Sequence, residues 1–411
     1  MKVLHLNTSP RTGGAAIAAG RIVCALQKIG VEASLLTAPE GIAHTLPFLW
    51  ERMSIWAANR FTRKDLFSVD IANAGTDITH LSAFQEADII HLHWINQGFL
   101  SLRGLQHICS QGKPIIWTMH DMWPCTSICH HARLCEAFHS ECRDCPYQPS
   151  TAFFDLAKHT FKRKASIYAA APLHFVACSK WLEAHVHQSA LTQGKYITSI
   201  ANPIDTTHFH PIDKQEARRA LKNRLPANKR LILFGSCKIT DKRKGIDYLI
   251  KSVRLLAQRR EDWKDKVGIV TFGEGSDELA ALLPYPVYSL GYLNSEEEMA
   301  KAYQAADLYI TPSLEENLPN TVMEAMACGL PCVSFHIGGL PEMIDHKENG
   351  YIAEYRSAED LAQGLEYVLS TEDYTKLSHN AVRKVTENYS QAHIGMQYKK
   401  LYERALFGSC T

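Results

Sequence analysis

Short apolar runs alternate along the chain with longer segments of helical period. Residues 3–6 form an apolar run broken by one His, followed by the turn pair Gly13-Gly14 and an Ala-rich helical stretch at 15–29. Strand-like runs then recur at 32–36, 87–92, 114–119, 174–178 and 196–200. The pattern restarts after Asn202-Pro203, with strand-like runs at 230–234, 267–271, 308–311 and 332–335 and helical stretches at 246–259, 297–306 and 322–327. Strands alternating with helices predict an α/β protein with parallel sheets covered on both faces. A polar stretch at 211–228 separates the halves. The boundary is expected near residue 203: one Rossmann-like domain over 1–203, a second over 204–390, and a terminal segment, 391–411, packing back on the first as a helix.

Length supports that division, because 411 residues exceed what one growing core holds. Lys plus Arg (44) and Asp plus Glu (43) nearly cancel, so no nucleic-acid partner is expected. The first apolar run is too short for a secretion signal, and no uncharged apolar run approaches the roughly 18 residues that span a bilayer. A cytoplasmic protein is expected, with peripheral contact at the inner face of the plasma membrane left open. Of the twelve cysteines, seven (Cys24, Cys109, Cys178, Cys237, Cys328, Cys332 and Cys410) are scattered or in apolar surroundings, as small buried thiols are.

The chemistry-bearing residues fall just beyond strand-like runs, where parallel sheets bind ligands. Glu316 lies in a polar loop after one such run and Glu324 on the first turns of the next helix. An ionised carboxylate only accepts hydrogen bonds and grips vicinal hydroxyls, so two of them suit a sugar nucleotide. The helix start at Asn320-Thr321 offers backbone N–H groups to phosphate oxygens. Lys238, Arg243 and Lys244 follow another run, and cations there suit a diphosphate leaving group. Taken alone, the acids are equally solvated ones, and a basic run is more often a solvated loop. Gly13-Gly14 is a tight turn rather than a G-x-G-x-x-G fingerprint, which argues against a dehydrogenase. His120-Asp121 ends a run and suits proton chemistry or a loop cap. His93, Trp94 and Asn96 follow a further run, with Trp94 either stacking a sugar or filling core. Gly273, in Phe272-Gly273-Glu274-Gly275, permits close approach of a base, and Leu290-Gly291-Tyr292 is the candidate for the other wall.

The string at 312–331, with Glu316 and Glu324 seven residues apart, resembles the E-x7-E motif of glycosyltransferase family 4, and the resemblance extends over nearly the whole chain. It implies the GT-B fold, two Rossmann-like domains facing across a cleft, the first binding acceptor and the second the nucleotide sugar. By that resemblance Glu316 contacts donor-sugar hydroxyls and Glu324 the ribose. Lys244 matches the Lys-Gly that opens a helix, and Lys238 or Arg243 matches the preceding basic residue. Gly14 matches a loop near the diphosphate. His120 matches the His beside the donor sugar, where it positions the sugar and stabilises charge, with His93, Trp94, Asn96 and Asp121 on the acceptor side. The chain departs from the pattern at Asn317-Leu318-Pro319, where many members have Gly-Phe-Gly and where Pro319 has no N–H. The implied function is retaining transfer from a nucleoside-diphosphate sugar to a glycan or lipid-linked glycan, in bacterial surface polysaccharide or lipopolysaccharide assembly. No cofactor or metal is expected at the diphosphate. The rivals are a nucleotide-sugar epimerase of the same fold and a non-catalytic scaffold.

Two features stand apart. Cys125, Cys129, Cys135, Cys142 and Cys145 cluster within 21 residues, and Cys142-x2-Cys145 has zinc-knuckle spacing. The last four recur in a subset of the resembling family, which implies a structural zinc. Free thiols and disulfides are the alternatives, and His130, His131 or His139 could replace a Cys. Residues 46–67 and 153–168 mix aromatic and basic side chains, as interfacial helices do, although helices packed on the sheet are the commoner case.

Overall fold

The computed structural model describes residues 1–221, 225–239 and 241–408; Cys410 and the side chain of Cys237 lie outside them. Contacts divide the chain into two units, Met1–Pro203 with Gln391–Thr411, and Ile204–Ser390.

The first unit holds six strands, β1 (Lys2–Asn7), β2 (Glu32–Thr37), β3 (Ile89–Leu92), β4 (Ile115–Met119), β5 (Leu173–Ala177) and β6 (Tyr196–Ser199), in the order β2-β1-β3-β4-β5-β6. Every pairing is parallel. Residues of β3 and β4 are buried throughout, which is why they read as largely apolar runs, broken only by His91 and Thr118. The order reverses between β1 and β3, so the crevice beyond their carboxyl ends is the expected ligand position of this sheet. Helix Gly14–Lys28 leaves β1 through Gly13, whose φ of 91° lies in the region that favours glycine. The terminal helix Gln391–Phe407 packs on this helix so closely that a Cβ on Gly395 would meet the Ala25 carbonyl at 2.9 Å.

The second unit repeats the architecture with β7 (Arg230–Lys238), β8 (Val267–Glu274), β9 (Val287–Ser289), β10 (Leu308–Thr311), β11 (Cys332–Phe335) and β12 (Gly350–Ala353), in the order β12-β11-β10-β7-β8-β9, again all parallel. Its order reverses between β7 and β10. The edge strands β9 and β12 escape the sequence pattern because runs of three or four residues carry too little periodicity.

The two aromatic–basic segments fold differently from expectation. The first is a helix only over Ile42–Ala58, ended by Arg60 and Phe61 at positive φ. It buries Glu51, Arg52 and Ile55 and exposes Ile42, Leu46, Trp50 and Met53. The second helix starts later, at Leu156–Ala170, and one of its basic residues faces inward: Lys164 is fully buried, with Nζ donating to the Trp123 and Thr126 carbonyls at 2.6 and 3.2 Å, whereas Lys158 and Lys162 are exposed. Among the described residues, no helix is long and apolar enough to cross a membrane.

Candidate functional site

In the second unit, the loops after β7 and β10 are locked together by backbone. Leu314 N donates to Arg243 O at 2.7 Å. Gly245, at φ 70°, lies where a Cβ would stand 1.8 Å from the Pro312 carbonyl oxygen, so only glycine lets the basic loop approach this closely. On the other side Gly338 would bring a Cβ to 2.0 Å from Glu316 O, and Gly339 N donates to Asn317 O at 2.7 Å. Held from both sides, Glu316 meets Lys244 in an ion pair through Oε1 and Nζ.

Glu324, eight positions on, is on the buried face of helix Asn320–Ala327 and accepts from the Tyr303 hydroxyl at 3.0 Å. Tyr303 carries no sequence signal of its own, because its role exists only where helix Glu296–Ala305 lies beside the Glu324 helix. Asn320 is buried at the helix start, and Thr321 interacts with the Tyr309 hydroxyl. Arg243 is turned to Asp241, with Nε and Nη2 donating at 3.2 and 2.7 Å. Lys238 is exposed at the end of β7. Gly273, at φ 114°, is the last residue but one of β8 and has its N–H on the Gly291 carbonyl at 2.8 Å, so the two predicted wall loops do adjoin.

In the first unit, Gly14 opens its helix past the end of β1. His93, Trp94 and Asn96 follow β3, and His120 and Asp121 follow β4. His93 Nδ1 and His120 Nε2 are 3.0 Å apart, and His93 Nε2 is 2.9 Å from Nδ1 of His5 on β1. Burial pushes the His120 imidazole down to about 4 and His93 well below the usual histidine range. The Asn96 side chain is buried with Nδ2 unpartnered.

Asp121 proves to be the centre of a charged cluster. Its Oδ2 accepts from Trp94 Nε1 at 2.9 Å and meets His130 Nδ1 at 2.7 Å, while Oδ1 accepts from Trp123 N at 2.8 Å. His130 reaches on through Nε2 to Asp70 Oδ2 at 2.6 Å, and Asp70 is paired with Arg52. Burial opposes the charge on His130, but the two carboxylates overcome it and hold the imidazolium up to about 10. Asp121, despite its own burial, is held down to about 2 by His130. His130 is therefore a partner of carboxylates and not a substitute for a cysteine. Asp70 and Arg52 went unseen in the sequence because nothing in their spacing links them to His130.

Cys129, Cys135, Cys142 and Cys145 line one small cavity with Ser127 and Phe138. Contact with Cys145 draws the Cys129 thiol down to about 7, whereas burial pushes Cys142 up to about 12. Cys142 receives the Ser127 backbone N–H and Cys145 that of Tyr147. N–H donors aimed at sulfur are the shell that a thiolate–metal centre uses, but the four sulfur atoms do not all lie within 4.8 Å of one another. The ten described cysteines are free thiols. Among the described residues, the side chains whose ligand atoms all lie within 4.8 Å of one another are His5, His91 and His93. His91 already engages Tyr402 and Thr118 through its two nitrogens, at 2.6 and 2.7 Å.

Residues 12–208 match the family described as Glycosyltransferase Family 4, and residues 228–371 match Glycosyl transferases group 1. An uncharacterized glycosyltransferase of Haemophilus influenzae is 29% identical over 55% of this chain and 62% of its own length. The N,N'-diacetylbacillosaminyl-diphospho-undecaprenol alpha-1,3-N-acetylgalactosaminyltransferase of Campylobacter jejuni is 29% identical over 40% of this chain and 42% of its own. The matches thus span under two thirds of these relatives. Among solved structures, the sucrose-phosphate synthase of Thermosynechococcus elongatus superposes with a TM-score of 0.69 at 18% identity, covering 100% of both chains. Anabaena HepE in complex with UDP gives 0.63 at 16%, over 98% of this chain and 100% of its own. Two parallel six-stranded sheets, paired loops carrying Lys244 and Glu316, and family matches along both units lead to one conclusion: the chain belongs to glycosyltransferase family 4 and has the GT-B fold.

Proposed function

We propose that this protein is a retaining glycosyltransferase that moves a sugar from a nucleoside-diphosphate sugar to a hydroxyl of a glycan or lipid-linked glycan, in bacterial surface polysaccharide or lipopolysaccharide synthesis. The observation that carries the proposal is the Lys244–Glu316 pair set beside buried Glu324. Glu316 binds sugar hydroxyls, Glu324 binds the ribose, and Lys244, with Lys238 and Arg243, neutralises the departing diphosphate. The bond from the anomeric carbon to phosphate oxygen breaks as the bond to acceptor oxygen forms on the same face. The acceptor proton passes to the leaving phosphate oxygen, so no protein base is required. His120 positions the sugar and stabilises charge. HepE, a neighbour in fold, has been crystallised with UDP and with UDP-glucose, and the Campylobacter relative's name describes a lipid-linked acceptor.

The test is turnover with a panel of UDP-, GDP- and ADP-sugars, with and without candidate acceptors. Nucleoside diphosphate released from one donor and abolished by Glu316→Ala supports transfer. Interconversion of the donor without acceptor would instead indicate an epimerase. Absence of both turnover and nucleotide binding would leave a scaffold.

Two finer readings belong to this proposal. Cys129, Cys135, Cys142 and Cys145 hold a structural zinc that steadies the loop following His120-Asp121. The protein works at the cytoplasmic face of the plasma membrane, docking through helix Ile42–Ala58. Support for docking is the exposure of Ile42 (75%), Leu46 (61%), Trp50 (60%) and Met53 (57%) beside Phe153 (64%). Arg60 lies 4.6 Å from the Phe153 ring, so cation and apolar surface adjoin, as anionic lipid requires.

A further inference from the structure

His5, His93 and His120 form a continuous hydrogen-bonded chain across β1, β3 and β4, through contacts of 2.9 and 3.0 Å. His5 and His93 are 0% and 2% exposed. At the inner end of the chain, His5 Nε2 is buried without a partner. His91 stacks on His93 and lies tilted against His5, at 4.3 and 4.5 Å between ring centroids. Four imidazoles this close repel any added positive charge, and burial holds His5 down to about 3. Three neutral rings in series share two hydrogen bonds, so the protons all point one way along the chain or all the other.

The orphan at His5 decides which. If protons pointed inward, His5 Nε2 would carry a buried N–H with no acceptor, the rarer and costlier kind of unsatisfied group. If they point outward, His5 Nε2 is only an unused lone pair. We propose that His5 and His93 are positioning residues that hold the candidate catalytic His120 in a single neutral tautomer, with Nε2 accepting from His93 and the proton on Nδ1. His120 then offers a hydrogen-bond donor from Nδ1 and has no basic nitrogen to spare. That matches a reaction in which the leaving phosphate takes the acceptor proton. Both nitrogens of His91 are engaged by Tyr402 and Thr118, so the three clustered histidines do not present three open ligand atoms.

Only the kinetic arm of the test rests on the glycosyl-transfer reading. The full-length protein is labelled with 15N-histidine, and the His120 signals are identified by their loss in His120→Gln. Wild type is expected to show His120 with Nδ1 protonated and Nε2 bare. His5→Phe, which keeps a ring but removes the donor, should give His120 a mixture of tautomers and lower kcat roughly tenfold or more, with donor KM little changed. His5→Asn, whose side-chain N–H sits where Nδ1 was, should restore both. A wild-type His120 protonated at Nε2, or an unchanged spectrum in His5→Phe, overturns the proposal. Should His5→Phe fail to fold, the wild-type and His5→Asn spectra still decide it. Absence of turnover with every donor, alongside the expected spectra, counts against the transferase reading and not against the tautomer.

Discussion

Lys244 donates its ammonium to Glu316, joining the loop after β7 to the loop after β10 across 72 positions of sequence. Both side chains retain water contact, at 34% and 12% exposure, so the pair adds little to stability, about 1 kcal/mol or less. In the proposed reaction its weight is chemical: the donor enters between these partners and divides them, with hydroxyls taking Glu316 and phosphate taking Lys244. Lys244→Ala should therefore lower kcat by about a hundredfold or more while the melting temperature moves little. Steady-state kinetics beside differential scanning calorimetry checks this, and wild-type-like turnover would remove Lys244 from the site.

Gly245→Ala should be more damaging to structure than Lys244→Ala. A Cβ there meets the Pro312 carbonyl oxygen at 1.8 Å, and its φ of 70° is itself costly for any side chain. A loss of about 2 kcal/mol or more is expected from strain and forced displacement. Urea unfolding measures it, and a change under about 0.5 kcal/mol would show that the two loops separate freely.

His130 gives the first unit a distinctive response to pH. Its folded value, about 10, stands above the ordinary 6.5, so it stabilises fully below pH 6.5 and that contribution drains away as pH rises through 10. Asp121 has the opposite sense: held at about 2 against an ordinary 3.8, its contribution is complete above 3.8 and lost as pH falls through 2. Thermal melts from pH 6 to 10 should show a decline in wild type that His130→Gln flattens. Parallel curves would mean that His130 carries no charge in the folded state.

Purified protein is expected to contain about one zinc per chain by elemental analysis, lost in Cys142→Ser. A strong chelator should lower the melting temperature of wild type but not of that variant. Metal-free protein with an unshifted melt would leave the cavity as one lined by free thiols.

Vesicles containing anionic lipid should bind wild type, and Leu46→Glu with Trp50→Glu should weaken binding roughly tenfold or more. Because both side chains are already exposed, the double variant should keep its fold and its turnover of a water-soluble acceptor. Equal sedimentation of the two proteins with vesicles would rule out docking through this helix.

Much of this protein is legible in its sequence because the information is local. A parallel strand buried on both faces must be an apolar run, and β3, β4 and β10 announce themselves that way. Likewise Gly13 before a helix and Glu316 after a strand are placed by their neighbours in the chain. The alternation of elements sufficed for the α/β class and for two parallel sheets. What the chain alone did not contain is the direction of side chains and the identity of distant partners. Lys164, last of three contiguous basic residues, looks solvated and is buried under Trp123. His130 looks like a spare metal ligand and bridges Asp70 and Asp121, and His5 looks like an interruption in a strand and begins a chain that ends at His120. These relationships join residues up to 115 positions apart, between His5 and His120. The histidine chain arises because β1, β3 and β4 are neighbours in the sheet, which sets their carboxyl ends side by side, and only the order of strands decides that; the partners of His130 and Lys164 are brought to them by loops that no local pattern specifies.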